Sequence, residues 1–478
     1  VAVTSGSGSV TFDKTVPTLS SVSIASNNST TTLAKVADVV TLTFTASETI
    51  ATPVVTFQSG GAAIADTSIT YTNTSGTTWT AAYTADGADT DGSVTYSIAF
   101  SDLASNAGVA VTSGSGSVTF DGSAPTLSSV SIASNNSTTT LAKVADVVTL
   151  TFTASETIAT PVVTFQSGGA AIADTSITYT NTSGTTWTAA YTADGADTDG
   201  SVTYSVAFTD STGNAGVAVT SGSGSVTFDK TAPTVSYVTG AENNGLFKED
   251  DIVNISARFS ETVTVSGAVP YLTLSVGSSY DVGYSSGSGT QYLNFVYTVQ
   301  SGHTSADLDY VATSSLNLNG ATITDAAGNT AILTLASPGA TNSLGSTKNY
   351  VIDTTAPTVA ITGNQGASGS TTAASSITLS IDVSETPTGL TASDLTYTSA
   401  GSGSGSFGSL TATGSSPEYT IVFTPASNDT YTFAMAGDVF TDAVGNNNTA
   451  ASDFVWEYDN SVPTLSSVSI ASNNSTTT

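Results

Sequence analysis

The chain has 478 residues, 37 acidic against 7 basic, with one His and no Cys. That length predicts about three to five domains, and a hydrophobic content of 39% supplies a core for each. A net charge of -30 repels phosphate backbones and anionic lipid, so nucleic acid and membrane surfaces are excluded as expected partners. Charged residues make up only 9% of the chain; Ser and Thr, about a third of it, take their place. The absence of Cys excludes disulfide scaffolds, zinc-thiolate sites and thiol nucleophiles. No window in the sequence approaches the roughly 18 apolar residues of a membrane span.

Read in order, the chain is a repeat. Residues 1–12 (VAVTSGSGSVTF) equal 109–120 and are expected to be the last strand of a preceding domain. In 13–120, period-two alternation of apolar residues with Thr or Ser marks strands. They are the segment after Pro17, Val39-Val-Thr-Leu-Thr-Phe-Thr45, Val54–Phe57, Ile69–Thr72, Trp79–Tyr83, Val94–Phe100 and Val109–Phe120. Gly, Asn, Asp and Ser clusters at Asn27-Asn-Ser, Ser59-Gly-Gly, Ser75-Gly and Asp86-Gly punctuate them. Seven strands in about 105 residues is the count and size of an immunoglobulin-like sandwich. Residues 121–228 repeat this unit with eight differences, among them Ile98/Val206 and Leu103/Ser211. A longer unit, 229–352, carries extra loop material around Ser278–Thr290 and Ser337–Thr347; 353–458 carries a Gly/Ser insert at Ala400–Ser409. Residues 459–478 are expected to open a further domain, because 464–478 equal 18–32. The expected fold class is therefore all-β, a tandem array of immunoglobulin-like seven-strand β-sandwiches. The loose ends suggest a window on a longer polymer, or ends that complete each other between neighbouring chains.

Three motifs keep step with the period. Asp13-Lys-Thr-Val-Pro17 recurs at Asp121, Asp229, Asp353 and Asp459, at spacings of 108, 108, 124 and 106 residues. Ser-Glu-Thr follows the second strand in every unit, at Glu48, Glu156, Glu261 and Glu385. Asp-x-x-[Ser/Gly]-Asn follows the sixth strand at Asp102…Asn106, Asp210…Asn214, Asp325…Asn329 and Asp442…Asn446. Strand direction alternates in an antiparallel sandwich, so the ends of strands two and six share a pole with the incoming linker. Three carboxylates gathered there repel one another unless a cation sits between them. An oxygen-only set, with carbonyls and the Asn amide completing it, favours Ca²⁺. Each motif alone is also an ordinary turn.

The opposite pole carries Asp86-Gly-Ala-Asp89-Thr-Asp91-Gly, repeated at Asp194, Asp197 and Asp199, with Asp307 and Asp309 placed similarly in the third unit. Asp89 or Asp91 is a candidate to join Asp121 across the junction; a solvated acidic turn is the alternative. Trp79, Tyr83 and Tyr71 are expected core residues, with an aromatic glycan platform as the other reading. His303 is expected in an exposed loop without a catalytic role. Lys35 and Lys143 are the isopeptide candidates, and Asn27-Asn-Ser-Thr-Thr-Thr32, repeated at Asn135 and Asn473, contains glycosylation sequons.

Taken together, the Asp-x-Thr-Ala-Pro, Ser-Glu and Asp-x-Ala-Gly-Asn set resembles the tandem bacterial immunoglobulin-like domains of giant repetitive cell-surface proteins and adhesins. The third unit, with Asp307-Leu-Asp-Tyr, Leu316-Asn-Leu-Asn-Gly and Thr324-Asp-Ala-Ala-Gly-Asn329, is similar to a widespread subtype. The resemblance implies an extracellular, non-enzymatic rod, stalk or filament stiffened by calcium at its junctions, its partners being neighbouring domains of the same chain. A self-assembling coat or multi-strand fibre of copies of the chain is the second expectation. The Ser113–Ser117 and Ser221–Ser225 stretches, and Ser5–Ser9, are the expected flat contact faces. Lys14 becoming Gly122, and Leu103-Ala-Ser standing for Ala-Ala-Gly, depart from the pattern.

Overall fold

A computed structural model describes residues 8, 10–414 and 417–471. The expected terminal pieces fall partly outside that range: 1–7, 9 and 472–478, with the Asn473 sequon, are not described. The chain forms two compact units, Val1–Thr231 and Ala232–Thr478, each of which holds two hydrophobic cores.

In the first sandwich the alternation seen in the sequence becomes alternating burial. The strands are β1 (Leu19–Ser26), β2 (Leu33–Ala34), β3 (Val39–Ala46), β4 (Val54–Ser59), β5 (Ala62–Ala63), β6 (Thr70–Ser75), β7 (Thr78–Thr84), β8 (Gly92–Ala99) and β9 (Thr119–Phe120). One sheet runs β1-β3-β7-β6 and the other β2-β9-β8-β4-β5. Every second residue of β3 points inward: Val40, Leu42, Phe44 and Ala46 are buried, while Thr41, Thr43 and Thr45 face outward. Burying a side chain such as Phe44 stabilises by about 1.5–3 kcal/mol, and the outward Thr methyls and hydroxyls suit an extended, half-exposed backbone. Trp79 and Tyr83 pack in this core beside Phe57, so they offer no exposed platform, and the Tyr71 hydroxyl is tied to the backbone of Val55. The same nine strands recur from Leu127–Ser134 to Thr227–Phe228 in the second sandwich.

Two features depart from the seven-strand expectation. First, β2 and β5 are short additions; β2 pairs parallel with β9 and so crosses from one sheet to the other. The equivalent parallel pairing recurs between Gly245 and Tyr350, and between Ser370 and Trp456. Second, Val109–Phe120 is not one strand. It makes single bridges at Val111 and Ser115 before β9 begins, because Gly114 and Gly116 lie hard against β1. A Cβ on either would stand 2.4 Å from the carbonyl oxygen of Val22 or Ile24, and Gly116 has φ +76°. The Gly-Ser-Gly-Ser stretch thus lies against β1 of its own sandwich, while Ser113–Ser117 remain exposed.

In the second unit, Ser279–Ser286 forms a strand paired with both Tyr271–Ser275 and Thr290–Thr298, where the sequence suggested a loop. The four-residue helix Leu344–Thr347 sits in the 337–347 insertion. His303 is buried, its ring stacked on Tyr297 and edge-on to Tyr280. Those contacts overturn the expectation of an exposed loop histidine.

Candidate metal centre

The cluster residues are assembled by strand direction. The start of β1 lies beside the end of β3, through Leu19 opposite Ala46. The Thr18 carbonyl accepts from Ser47 N at 2.8 Å, which fixes Glu48 next to the incoming linker. The turn after β8 is fastened to the same place by a bridge between Ile50 and Asp102. Carboxylate oxygens of Asp13, Glu48 and Asp102 consequently lie within 4.8 Å of one another. The same convergence joins Asp121, Glu156 and Asp210, and again Asp353, Glu385 and Asp442. In the third sandwich Glu261 follows Ser260 on a long strand, Ile252–Gly267, and Asp325 heads its turn. Asp229 belongs to the first compact unit and there accepts from Thr231 N at 2.9 Å. Asp459 accepts from Ser461 N and Asn428 Nδ2 at 2.8 and 2.9 Å.

Each turn aspartate is held rigidly. In the second sandwich Asp210 Oδ1 accepts from the backbone N–H of Thr212, Gly213 and Asn214 at 2.8, 2.6 and 2.9 Å. Asn214 Nδ2 donates to Asp210 Oδ2 and to the Asp121 carbonyl, both at 2.8 Å. Asn446 does the same for Asp442 and Asp353, and Asn106 for Asp102 and Asp13. These asparagines therefore turn their amide N–H₂ groups toward the aspartates and act as braces. The fourth residue of the turn is left-handed, with φ 72° at Ser105 and +94°, +92° and +99° at Gly213, Gly328 and Gly445. Glycine is the low-strain choice there.

Burial and mutual repulsion act together on the glutamates of these clusters. Burial, then the Asp121, Asp210 and Asp91 carboxylates, raise the Glu156 carboxyl above its usual range. Glu385 is raised by burial, Asp442 and Asp353, and Glu48 by burial, Asp13 and Asp102. Asp102 behaves oppositely: burial pushes it up, but the hydrogen bonds from Asn106 and the Ala104 and Ser105 backbone outweigh that and lower it. The second, acidic pole separates into two roles. Asp89 is buried and accepts from Ala65 N and Asp86 N, so it is structural. Asp91 reaches the next linker, accepting from Gly122 N at 2.7 Å and Ser123 Oγ at 2.8 Å. Asp199 likewise accepts from Lys230 N and Thr231 Oγ1. In the third sandwich Thr354 Oγ1 makes that link, accepting from Gly302 N and donating to the His303 carbonyl. Asp309 instead accepts from Gly339 N within its own domain.

One element of the junction was missed in the sequence. Lys35 Nζ donates to the Gly213 carbonyl at 2.9 Å, and Asn28 Nδ2 to the Thr212 carbonyl at 3.1 Å. Both therefore grip the turn of the following sandwich. Asp38 holds them in place, accepting from Asn28 Nδ2 and Lys35 N at 2.7 and 2.9 Å. Lys248, with its backbone N–H on Asp251, reaches the Gly445 carbonyl at 3.2 Å. A recurring Lys three residues before an Asp was the available signal. Asn28 is buried in this latch, so its sequon presents no free amide.

Residues 353–457 match the family model for a bacterial Ig-like domain. No curated protein matches the chain in sequence. Among solved structures, the chain is similar to a tetra-tandem repeat in the extending region of a large adhesion protein, at 15% identity and TM-score 0.29, covering 92% of this chain and 100% of that one. It is also similar to an I-band fragment from titin, at 11% identity and TM-score 0.33, covering 72% and 100%. No helix among the described residues is long and apolar enough to cross a membrane. The chain is an all-β tandem array of immunoglobulin-like sandwiches, and its segment 353–457 matches the bacterial Ig-like domain family.

Proposed function

We propose that the chain is a structural stalk of a bacterial surface protein, extracellular and without enzymatic activity, whose junctions are stiffened by Ca²⁺. The observation that carries this reading is the recurrent meeting of an Asp–Glu–Asp triad at the entry to a sandwich, beside hydrogen bonds that already span the linker. Domain boundaries at 13, 121, 229, 353 and 459 put an Asp of the repeated motif at each such entry.

The residues fit the ion. All available side-chain donors are oxygens, as hard cations require. Burial, and then the neighbouring Asp carboxylates, raise the Glu156 and Glu385 carboxyls, and among the described residues neither forms a salt bridge. Asp121, Glu156 and Asp210 would hold the ion in the second sandwich, and Asp353, Glu385 and Asp442 in the fourth. The ion supplies positive charge that links the linker to two turns of the sandwich. Asn214 and Asn446 keep the turn Asp in place, Asp91 ties the preceding sandwich to the linker, and Lys35 fixes the loop from the other side. An ion bound only by the ordered junction favours that state by mass action. Small-angle scattering of the whole chain tests this: calcium lengthens and stiffens the particle relative to chelator, and superimposable profiles refute the reading.

A further inference from the structure

The third sandwich differs from its siblings along one row of its outer face. In the first, the row reads Ser21, Thr45, Thr78 across three strands. In the second it is Ser129, Thr153, Thr186, and in the fourth Ala360, Asp382, Glu418. In the third it is Tyr237, Arg258, Tyr292. Arg258 is the only arginine in the chain. Its guanidinium lies 5.7 Å from the Tyr237 ring centroid and 5.9 Å from that of Tyr292. Arg258 Nη2 donates to Gln291 Oε1 at 3.2 Å. Tyr292 is 40% exposed.

With 37 acidic residues in the chain, Arg258 forms no ion pair among the described residues. A guanidinium spreads five donors in a planar fork that matches a carboxylate bidentately. Here Gln291 occupies only part of it, and the flanking rings hold it in one orientation. Asn294 and Ser256, hydrogen-bonded to each other on the same face at 2.7 Å, add amide and hydroxyl groups. We propose that the Tyr237–Arg258–Tyr292 row binds an acidic saccharide, its carboxylate on the Arg258 fork, a pyranose face against Tyr292 and its hydroxyls toward Gln291 and Asn294. Against a net charge of -30, the bidentate fork of Arg258 supplies the attraction that a lysine's point charge does not orient.

The test is saturation-transfer NMR on the full chain in EDTA, with D-glucuronate, D-glucose and a glutamate-rich peptide as separate probes. EDTA removes any metal bridge, so the outcome is independent of the calcium reading. D-glucuronate is expected to give a saturable signal and D-glucose none. Arg258→Gln and Tyr292→Ala should each weaken the D-glucuronate signal about tenfold or more. Arg258→Lys, which keeps the charge and loses the fork, should weaken it less than Arg258→Gln, and it guards against a folding defect. Equal signals from both sugars, a preference for the peptide, or an unchanged signal in Arg258→Gln at unchanged melting temperature overturns the proposal.

Discussion

Replacing Glu156 by Gln removes one of three charges from the second cluster while keeping the side chain's size. The converging oxygens lie within 4.8 Å of one another. At that range two unit charges repel by about 1 kcal/mol in high dielectric, a lower bound here because Asp210 is buried. Without metal the triad holds three such repulsions, and the substitution leaves only the one between Asp121 and Asp210. Glu156→Gln should therefore stabilise the second sandwich in EDTA by about 2 kcal/mol, a shift of several degrees in its melting transition. In calcium the order reverses, because the variant has lost a ligand and gains less from the ion. Calorimetric melts of the full chain, with and without calcium, read both effects, and a calcium isotherm should lose one equivalent. A variant that is less stable than wild type in EDTA, or equally stabilised by calcium, refutes the reasoning.

Further outcomes follow from the same geometry. The folded-state carboxyls of Glu156 and Glu385 lie above the unfolded value of 4.5, so their contribution is greatest below that value and is lost as pH rises through the folded one. Stability in EDTA should thus increase as pH falls from 7 toward 4.5, and calcium added within that window should release protons, both measurable by denaturation and pH-stat titration. Asp102 has the opposite sign: its contribution is present above 3.8 and lost as pH falls below it. Lys35→Met should speed subtilisin cleavage of the 121–125 linker at unchanged melting temperature, with Lys14→Met as the silent control; Asn28→Ala should speed it too and also lower the melting temperature, because buried Asn28 bonds Asp38 and Thr30 N in its own sandwich. Gly116→Ala should cost about 1–3 kcal/mol in thermal melts, from the left-handed backbone and the Ile24 carbonyl. Gly76→Ala, at φ +55° with open space around it, should cost less.

Most of the fold was legible because its signals are local. Thr alternating with Val, Leu and Phe along Val39–Ala46 sets which face is buried. The convergence of Asp13, Glu48 and Asp102 was readable as well, since strand direction alone returns the second and sixth strands to the linker. What the sequence hid depends on how separate pieces meet. Lys35 and Gly213 are 178 residues apart, and their contact depends on how one sandwich seats against the next, which no periodicity encodes. Asp89 and Asp91 look alike in the chain, yet one turns inward to Ala65 and the other outward to Gly122. Val109–Phe120 alternates like a strand, but the backbone approach at Gly114 and Gly116 interrupts its ladder. His303 sits among Gly, Ser and Thr in sequence, and only the fold brings Tyr280 and Tyr297 onto it.

The most direct measurement is a high-resolution diffraction map of the calcium-loaded protein at the Asp121, Glu156 and Asp210 carboxylates. A calcium peak is expected about 2.3–2.6 Å from oxygens of all three. Density there for water alone, or for a lysine ammonium in its place, would contradict it.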